Sequence, residues 1–486
     1  MIPRLALSFQ PVRNSCALSA AGKQLWRPWT RHQGLPAASR GIHVDCPPIV
    51  PGLTISYAHA TSTMPLLQAT VAETLQRSVE RHPDKEALVF VEGGVRKTFA
   101  QFQQAVDQAA AGLLALGLKK GDRLGMWGPN TFEWVLFQFA TAKAGIILVS
   151  VNPAYQPQEV EFALRKVGVK AVVCPTQFKT QQYCDMLRKI CPEIEKSSPG
   201  DIKSARLPDL RSVIVLDSRQ PGMFHLDDVM QAGSSQYVQQ LQDLQKTLQF
   251  DDPINIQFTS GTTGAPKGAT LTHHNIVNNA YFVGKRVGYT WKPDARLCVP
   301  VPLYHCFGSV GAGMCMAVHG ITLIFPSTGY DGRANLAAVE SERCTNLYGT
   351  PTMFVDMLSQ PDFKKFDLSS LLSGFMAGSP CPQELVRKVI TEMGVKGITV
   401  GYGTTENSPV TLCGSPMDNL ERKCETVGYV MDHLEAKIVD PTTGEIVPLG
   451  MTGEIMIRGY CVMLEYWDDE AKTRECITKN GWYKTG

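Results

Sequence analysis

The sequence predicts an α/β protein with largely parallel sheets. Short apolar runs of strand length recur at 171–173, 213–216, 254–258, 297–301, 322–325 and 398–400, with helical stretches between them. Such alternation is the pattern of βαβ units whose sheets are covered by helices on both faces. At 486 residues the chain is long enough for more than one compact unit. After about Val430 the texture changes: two strand-like runs, 435–440 and 454–458, are separated by turn signals, which predicts a small β-rich subdomain.

Local signals support the larger elements. Thr98 and Gln101 are spaced as a capping box. Phe99, Phe102, Val106, Ala109, Leu113 and Leu116 then recur at helical spacing. Residues 119–122 end that helix, and 123–127 reads as a strand. The polar, weakly patterned stretches 192–210 and 217–248 are expected to be exposed. His273 and His274 have no metal-ligand spacing to other His or Cys and are expected to start a helix.

The ends and the composition narrow the function class. Six of the 47 basic residues precede Asp45 and no acid does, so the remainder carries 41 bases against 45 acids, a net charge of −4. That excludes a generally basic nucleic-acid binder. The basic, serine-bearing, acid-free stretch 1–44 fits a mitochondrial transit peptide, with a basic tail as the alternative. Residues 45–64 read as a linker, 65–430 as an α/β core in two subdomains and 431–486 as the β-rich subdomain. No apolar run approaches the ~20 residues of a membrane helix; the nearest, 311–325, carries His319 and several glycines. Fourteen scattered cysteines without a C-x-x-C pair indicate neither zinc nor a disulfide framework, so reduced, mostly buried thiols are expected.

The stretch Thr259–Gly268, TSGTTGAPKG, follows an apolar run and carries the chemistry of a phosphate-gripping loop. Gly261, Gly264 and Gly268 permit close backbone approach. Successive N–H groups in such turns form anion-binding nests. Thr259, Ser260, Thr262 and Thr263 add hydroxyl donors, Pro266 restrains the loop after Ala265, and Lys267 adds a positive charge. Its spacing is not that of the common nucleotide P-loop. Composition alone also fits an ordinary surface loop; residue order decides.

That order resembles the phosphate-binding signature of the adenylate-forming superfamily, the AMP-binding enzymes. Further matches follow in register over 65–486. Tyr402–Glu406, YGTTE, is similar to the second signature; 377–380, AGSP, to the adenine segment; 302–308, PLYHCFG, to the acyl-site segment. Residues 453–467 (GEIMIRGYCVMLEYW) and 481–486 (GWYKTG) resemble two later motifs. Within the superfamily the chain looks like a mitochondrial acyl-CoA synthetase of the medium-chain type.

The resemblance implies a large adenylate-forming domain and two half-reactions. A carboxylate attacks the α-phosphate of ATP to give acyl-AMP, and CoA then displaces AMP. It implies that Thr259–Lys267 holds the β- and γ-phosphates and that Lys267 offsets their charge. Thr405 would bond the α-phosphate, and Glu406 would hold Mg²⁺ with phosphate oxygens and water. Tyr402 would pack on adenine beside Gly403 and Thr404, with Gly378, Ser379 and Pro380 across that pocket. Alone, Tyr402 reads sooner as a core aromatic; within YGTTE the binding role is favoured. His305 is implied as a wall or gate between acyl and phosphate sites rather than a general base, since a carboxylate substrate is already ionised. Lys267, Thr405, Glu406 and His305 form the expected catalytic set.

The small apolar segment 308–318 reads as an acyl tunnel or as core. Expected partners are small molecules, fatty acid, ATP and CoA, with a location in the mitochondrial matrix. In the superfamily a ribose-binding aspartate, a hinge and a small lysine-bearing C-terminal domain follow the last motif, so this chain is expected to bind ligands but to be impaired in ligation. The alternatives are a non-catalytic nucleotide- or acyl-binding form and a ligase for another carboxylate, such as an aryl acid or a carrier-protein substrate.

Overall fold

The computed structural model describes residues 54–259, 266–290 and 294–486; the expected transit peptide lies outside them. Among the described residues two large sheets dominate, and the α/β class holds. One sheet has eight strands in the order Phe224–His225, Ser212–Val215, Ala171–Cys174, Arg123–Trp127, Ile147–Val151, Pro253–Thr259, Lys267–Thr272, Glu465–Tyr466. Its first six strands run parallel, and the last two pairings are antiparallel. The second sheet has nine strands. Its middle is the parallel set Gly397–Gly403, Ser373–Met376, Asn346–Gly349, Arg296–Cys298, Thr322–Phe325 and Glu86–Phe90, with antiparallel strands at both edges.

Burial explains the parallel strands. Ile147–Val151, Ala171–Cys174, Ser212–Val215 and Thr322–Phe325 are buried at every position, which requires cover on both faces. The helix Phe99–Ala115 supplies part of that cover. Thr98 caps it: its hydroxyl accepts from the Gln101 N–H at 3.2 Å and the Gln101 side chain accepts from the Thr98 N–H at 3.0 Å. Phe99, Phe102, Val106, Ala109 and Leu113 form its buried stripe. Twelve cysteines lie among the described residues, all as free thiols, ten of them buried. No helix among those residues is long and apolar enough to cross a membrane.

Three sequence expectations need correction. The stretch 45–64 is not linker throughout, because Tyr57–His59 forms an edge strand on Glu435–Val439 in a four-stranded sheet completed by Glu454–Arg458 and Tyr483–Lys484. The stretch 217–248 contains the helices Leu226–Ala232 and Ser235–Gln245, which bury Val229 and Leu241 against Phe99–Ala115. In 192–210, Ile194, Ile202, Leu207 and Leu210 are buried. In the first two cases the partner is far away in sequence, which no local period reveals.

His273 begins the helix His273–Val287, as expected, and its burial has a consequence. The ring is fully enclosed, Nδ1 accepts from the Val71 N–H at 3.1 Å, and Nε2 has no partner among the described residues. Burial pushes its pKa down to about 4. The unfolded chain therefore binds a proton below about pH 6.5 that the folded chain refuses until pH 4. Stability should be insensitive to this group above pH 6.5 and fall as the pH drops, by on the order of 2 kcal/mol at pH 5. Thermal melts should show a shallower acid slope for His273→Asn, whose carbonyl oxygen can still accept from Val71. An unchanged slope would refute the assignment.

Candidate functional site

The nine-stranded sheet delivers three segments to the carboxyl ends of its parallel strands, where open α/β sheets bind ligands. Residues 299–308 follow Arg296–Cys298, residues 377–380 follow Ser373–Met376, and residues 402–406 end the strand Gly397–Gly403. Met376 pairs with Val400, so Gly378 and Tyr402 lie equally far along neighbouring strands. Gly378 adopts φ +90°, which favours glycine, and Ser379 and Pro380 are exposed beside it. Tyr402 is half-buried. Gly403 is exposed, yet a Cβ there would collide with the Pro409 carbonyl oxygen.

The eight-stranded sheet contributes the hairpin formed by Pro253–Thr259 and Lys267–Thr272, in which Thr259 lies opposite Lys267. Ser260, Gly261, Thr262, Thr263, Gly264 and Ala265 lie outside the described residues; Pro266 and Lys267 are half-buried. Thr259 Oγ1 is buried and has no partner among the described residues. Such an orphaned hydroxyl is what a ligand oxygen would satisfy.

Between the two sheets lies Glu406, only 7% exposed, in the short 3₁₀ turn Thr405–Asn407. A buried carboxylate must be bonded or it is costly. Tyr466 supplies the bond: its hydroxyl donates to Glu406 Oε1 at 2.7 Å. The other oxygen, Oε2, has no partner among the described residues. The turn is clamped further by Met463 N–H donating to the Glu406 carbonyl at 2.7 Å and by Ser408 Oγ donating to the Cys461 carbonyl at 2.6 Å. Asn407 Nδ2 donates to Thr404 Oγ1 at 2.9 Å, which occupies that hydroxyl.

Strand pairing places Tyr466 there. It lies opposite Ala269, so Lys267, two residues along on the same face, is its diagonal neighbour and within reach of its ring. The Lys267 ammonium lies 4.5 Å from the ring centroid, a cation–π contact. Burial above all, then the Glu406 charge, raises the Tyr466 phenol far above its usual pKa, so it remains a donor. Tyr483 feels the same carboxylate, but burial is the main cause of its raised pKa.

The third contribution is the PLYHCFG segment. His305 is exposed, with Nδ1 accepting from the Phe307 N–H at 3.2 Å. Cys306 is buried, 3.4 Å from Thr405 Oγ1 and 3.7 Å from His305 Nδ1. The contact with Cys306 raises the His305 pKa above its ordinary value. A π-helix, Phe307–Met314, follows and is buried throughout; such geometry often marks functional sites. Lys267, His305, Thr405 and Glu406 are thus linked through Tyr466 and Cys306, neither of which sequence reasoning singled out. Tyr466 lies within the 453–467 motif, and its place in that motif is the signal that was available.

Among the described residues no cluster of three or more His, Cys, Asp or Glu side chains could cage a metal ion. The donor set instead suits a cation held by one carboxylate oxygen together with ligand oxygens and water, which is a Mg²⁺–phosphate arrangement.

Residues 75–467 match the AMP-binding enzyme family. The chain is similar to the mitochondrial medium-chain acyl-CoA ligase ACSF2 of Danio rerio, at 70% identity over 92% of this chain and 74% of that protein. To the corresponding human ligase it is 53% identical, over 89% and 71% of the two chains. Among solved structures it resembles the anthranilate CoA ligase AuaEII in complex with anthranoyl-AMP, with TM-score 0.75 and 24% identity over 87% of this chain and 76% of that one. A long-chain-fatty-acid-CoA ligase from Archaeoglobus fulgidus gives TM-score 0.74 at 21% identity, over 89% and 84%.

The close approach at Gly403 yields a test that needs no substrate. Gly403→Ala forces the turn away from Pro409 and should cost roughly 1–3 kcal/mol, measurable by urea denaturation. A cost within error would mean that the turn has room to spare.

Proposed function

The chain belongs to the AMP-binding enzyme family, and from that premise we propose that it activates a medium-chain fatty acid with ATP and passes the acyl group to CoA. One observation carries this reading: segments far apart in sequence meet at the turn Thr405–Asn407, where Tyr466 bonds the Glu406 carboxylate and carries the Lys267 ammonium on its ring, and Cys306 touches the Thr405 hydroxyl. The reaction brings an anion onto a polyanion, so positioning and charge neutralisation are the protein's main tasks.

Each group has a role of that kind. Lys267 offsets negative charge on the leaving pyrophosphate, helped by Thr259 and the loop 260–265. Thr405, its hydroxyl beside Cys306, bonds the α-phosphate. Glu406 would hold Mg²⁺ through its free oxygen, and the ion would supply charge neutralisation across the phosphates. Tyr402 packs on adenine, with Gly378, Ser379 and Pro380 opposite and Gly403 and Thr404 beside it. His305 stands at the mouth of the acyl site and excludes water from the adenylate. The buried π-helix and the helix Cys315–His319 after it line the path of the acyl chain, where Met314 and Met316 adapt to irregular apolar shapes.

The names of the similar ligases and the acid-free leader support import into mitochondria. We assign residues 1–44 to a transit peptide and the matrix as the destination. Within the mature chain, 65–430 is taken as the adenylation core and 431–486 as the β-rich subdomain.

Acyl-AMP formation, followed by pyrophosphate exchange into ATP, and acyl-CoA formation test the proposal across short-, medium- and long-chain acids and an aryl acid. Medium-chain acids should give the highest kcat/KM. Thr405→Val and Glu406→Gln should each lower the exchange rate about a hundredfold or more. A preference for the aryl acid, or nucleotide binding without any exchange, would overturn the reading.

A further inference from the structure

Tyr466 is 2% exposed and touches both charged groups of the phosphate site. Its backbone is fixed by the pairing with Ala269, and Trp467 N–H donates to the Gly268 carbonyl at 2.8 Å. The bland account is a core tyrosine whose hydroxyl has found an acceptor. Two features exceed that account. The acceptor is the one carboxylate at the centre of the site, held by one oxygen while the other has no partner among the described residues. The same ring also carries the Lys267 ammonium on its face.

We propose that Tyr466 is a positioning residue for the metal-bound triphosphate, aiming the free oxygen of Glu406 at the cation through its hydroxyl and seating Lys267 through its ring. This rests on the reading of Glu406 as the metal-holding group and Lys267 as the phosphate-facing one. The physical logic is that of an outer partner to a metal ligand. A carboxylate with one oxygen tied down loses rotational freedom and presents a single oriented donor, and removing such partners typically weakens metal affinity 10–100-fold. The ring's negative face similarly holds an ammonium whose flexible stem would otherwise sample many rotamers.

The two functions of the side chain separate by mutation. Tyr466→Phe deletes the hydroxyl and keeps the ring; Tyr466→Leu deletes both. ATP affinity of the whole chain is measured by calorimetry, once with magnesium chloride and once with EDTA, so that the readout is binding rather than turnover. The Mg²⁺-dependent gain in ATP affinity should fall about tenfold in both variants. The affinity in EDTA should stay within about twofold for Phe and fall roughly threefold for Leu, reflecting the lost cation–π seat. Both variants lack the hydroxyl, so whichever gives a cooperative melt tests its role.

Glu406→Gln run in parallel keeps the outcomes distinct. If it abolishes the Mg²⁺-dependent gain while the Tyr466 variants retain it, the inference about Tyr466 fails and the assignment of Glu406 stands. If Glu406→Gln leaves the gain intact, or the unmodified chain binds no ATP, the assignment of the site fails and the inference with it. Equal losses with and without metal for Tyr466→Phe would mark Tyr466 as a core residue only.

Discussion

The site depends on one short antiparallel pairing, that of Glu465–Tyr466 with Lys267–Thr272. This two-residue strand is the edge of the eight-stranded sheet, yet its side chain reaches the turn at the end of the nine-stranded sheet's strand Gly397–Gly403. Without it the Glu406 carboxylate would be buried with no bonding partner, and a buried charge in that state is strongly unfavourable. The pairing thus does two things at once. It closes a sheet edge, and it makes the burial of the central carboxylate tolerable.

The flanking segment adds contacts of both kinds, main-chain and side-chain. The Met463 N–H donates to the Glu406 carbonyl, a bond that only proline at 463 would remove, and the Cys461 carbonyl accepts from the Ser408 hydroxyl. Gly403 contributes by absence, since any side chain would push the turn from Pro409. The turn is therefore held from several sides, while one oxygen of the Glu406 carboxylate is left without a partner among the described residues. A site whose geometry is fixed by backbone contacts pays less reorganisation when charge develops in it.

Much of this was legible in the residues. The capping box at Thr98, the buried parallel strands and the helix starting at His273 follow from local pattern, because cap chemistry and continuous apolar runs are local quantities. The family was legible because its motifs are short, ordered and chemically unusual. What was hidden depends on contacts across the chain. Tyr57–His59 becomes a strand only because Glu435–Val439, some 380 residues on, offers it an edge. Tyr466 and Cys306 matter through neighbours 60 and 99 residues away, Glu406 and Thr405, and neither residue type announces such a role. His305 was read as a gate from its motif; its coupling to Thr405 through the Cys306 sulfur is visible only in three dimensions.

The division of labour between the sheets follows from what each kind of strand end can offer. Parallel strands end in loops that are free to differ, and the nine-stranded sheet carries Gly378 and His305 in such loops and Tyr402 near the end of the strand Gly397–Gly403. The eight-stranded sheet contributes a hairpin instead, and a hairpin keeps its two arms in register. Thr259 and Lys267 therefore face each other across the mouth of the loop at a separation set by the ladder, not by the loop itself. The Tyr466 ring fixes Lys267 a second time, from the neighbouring strand. Both arms of the hairpin therefore belong to the strand system that also holds Glu406 through the Tyr466 hydroxyl.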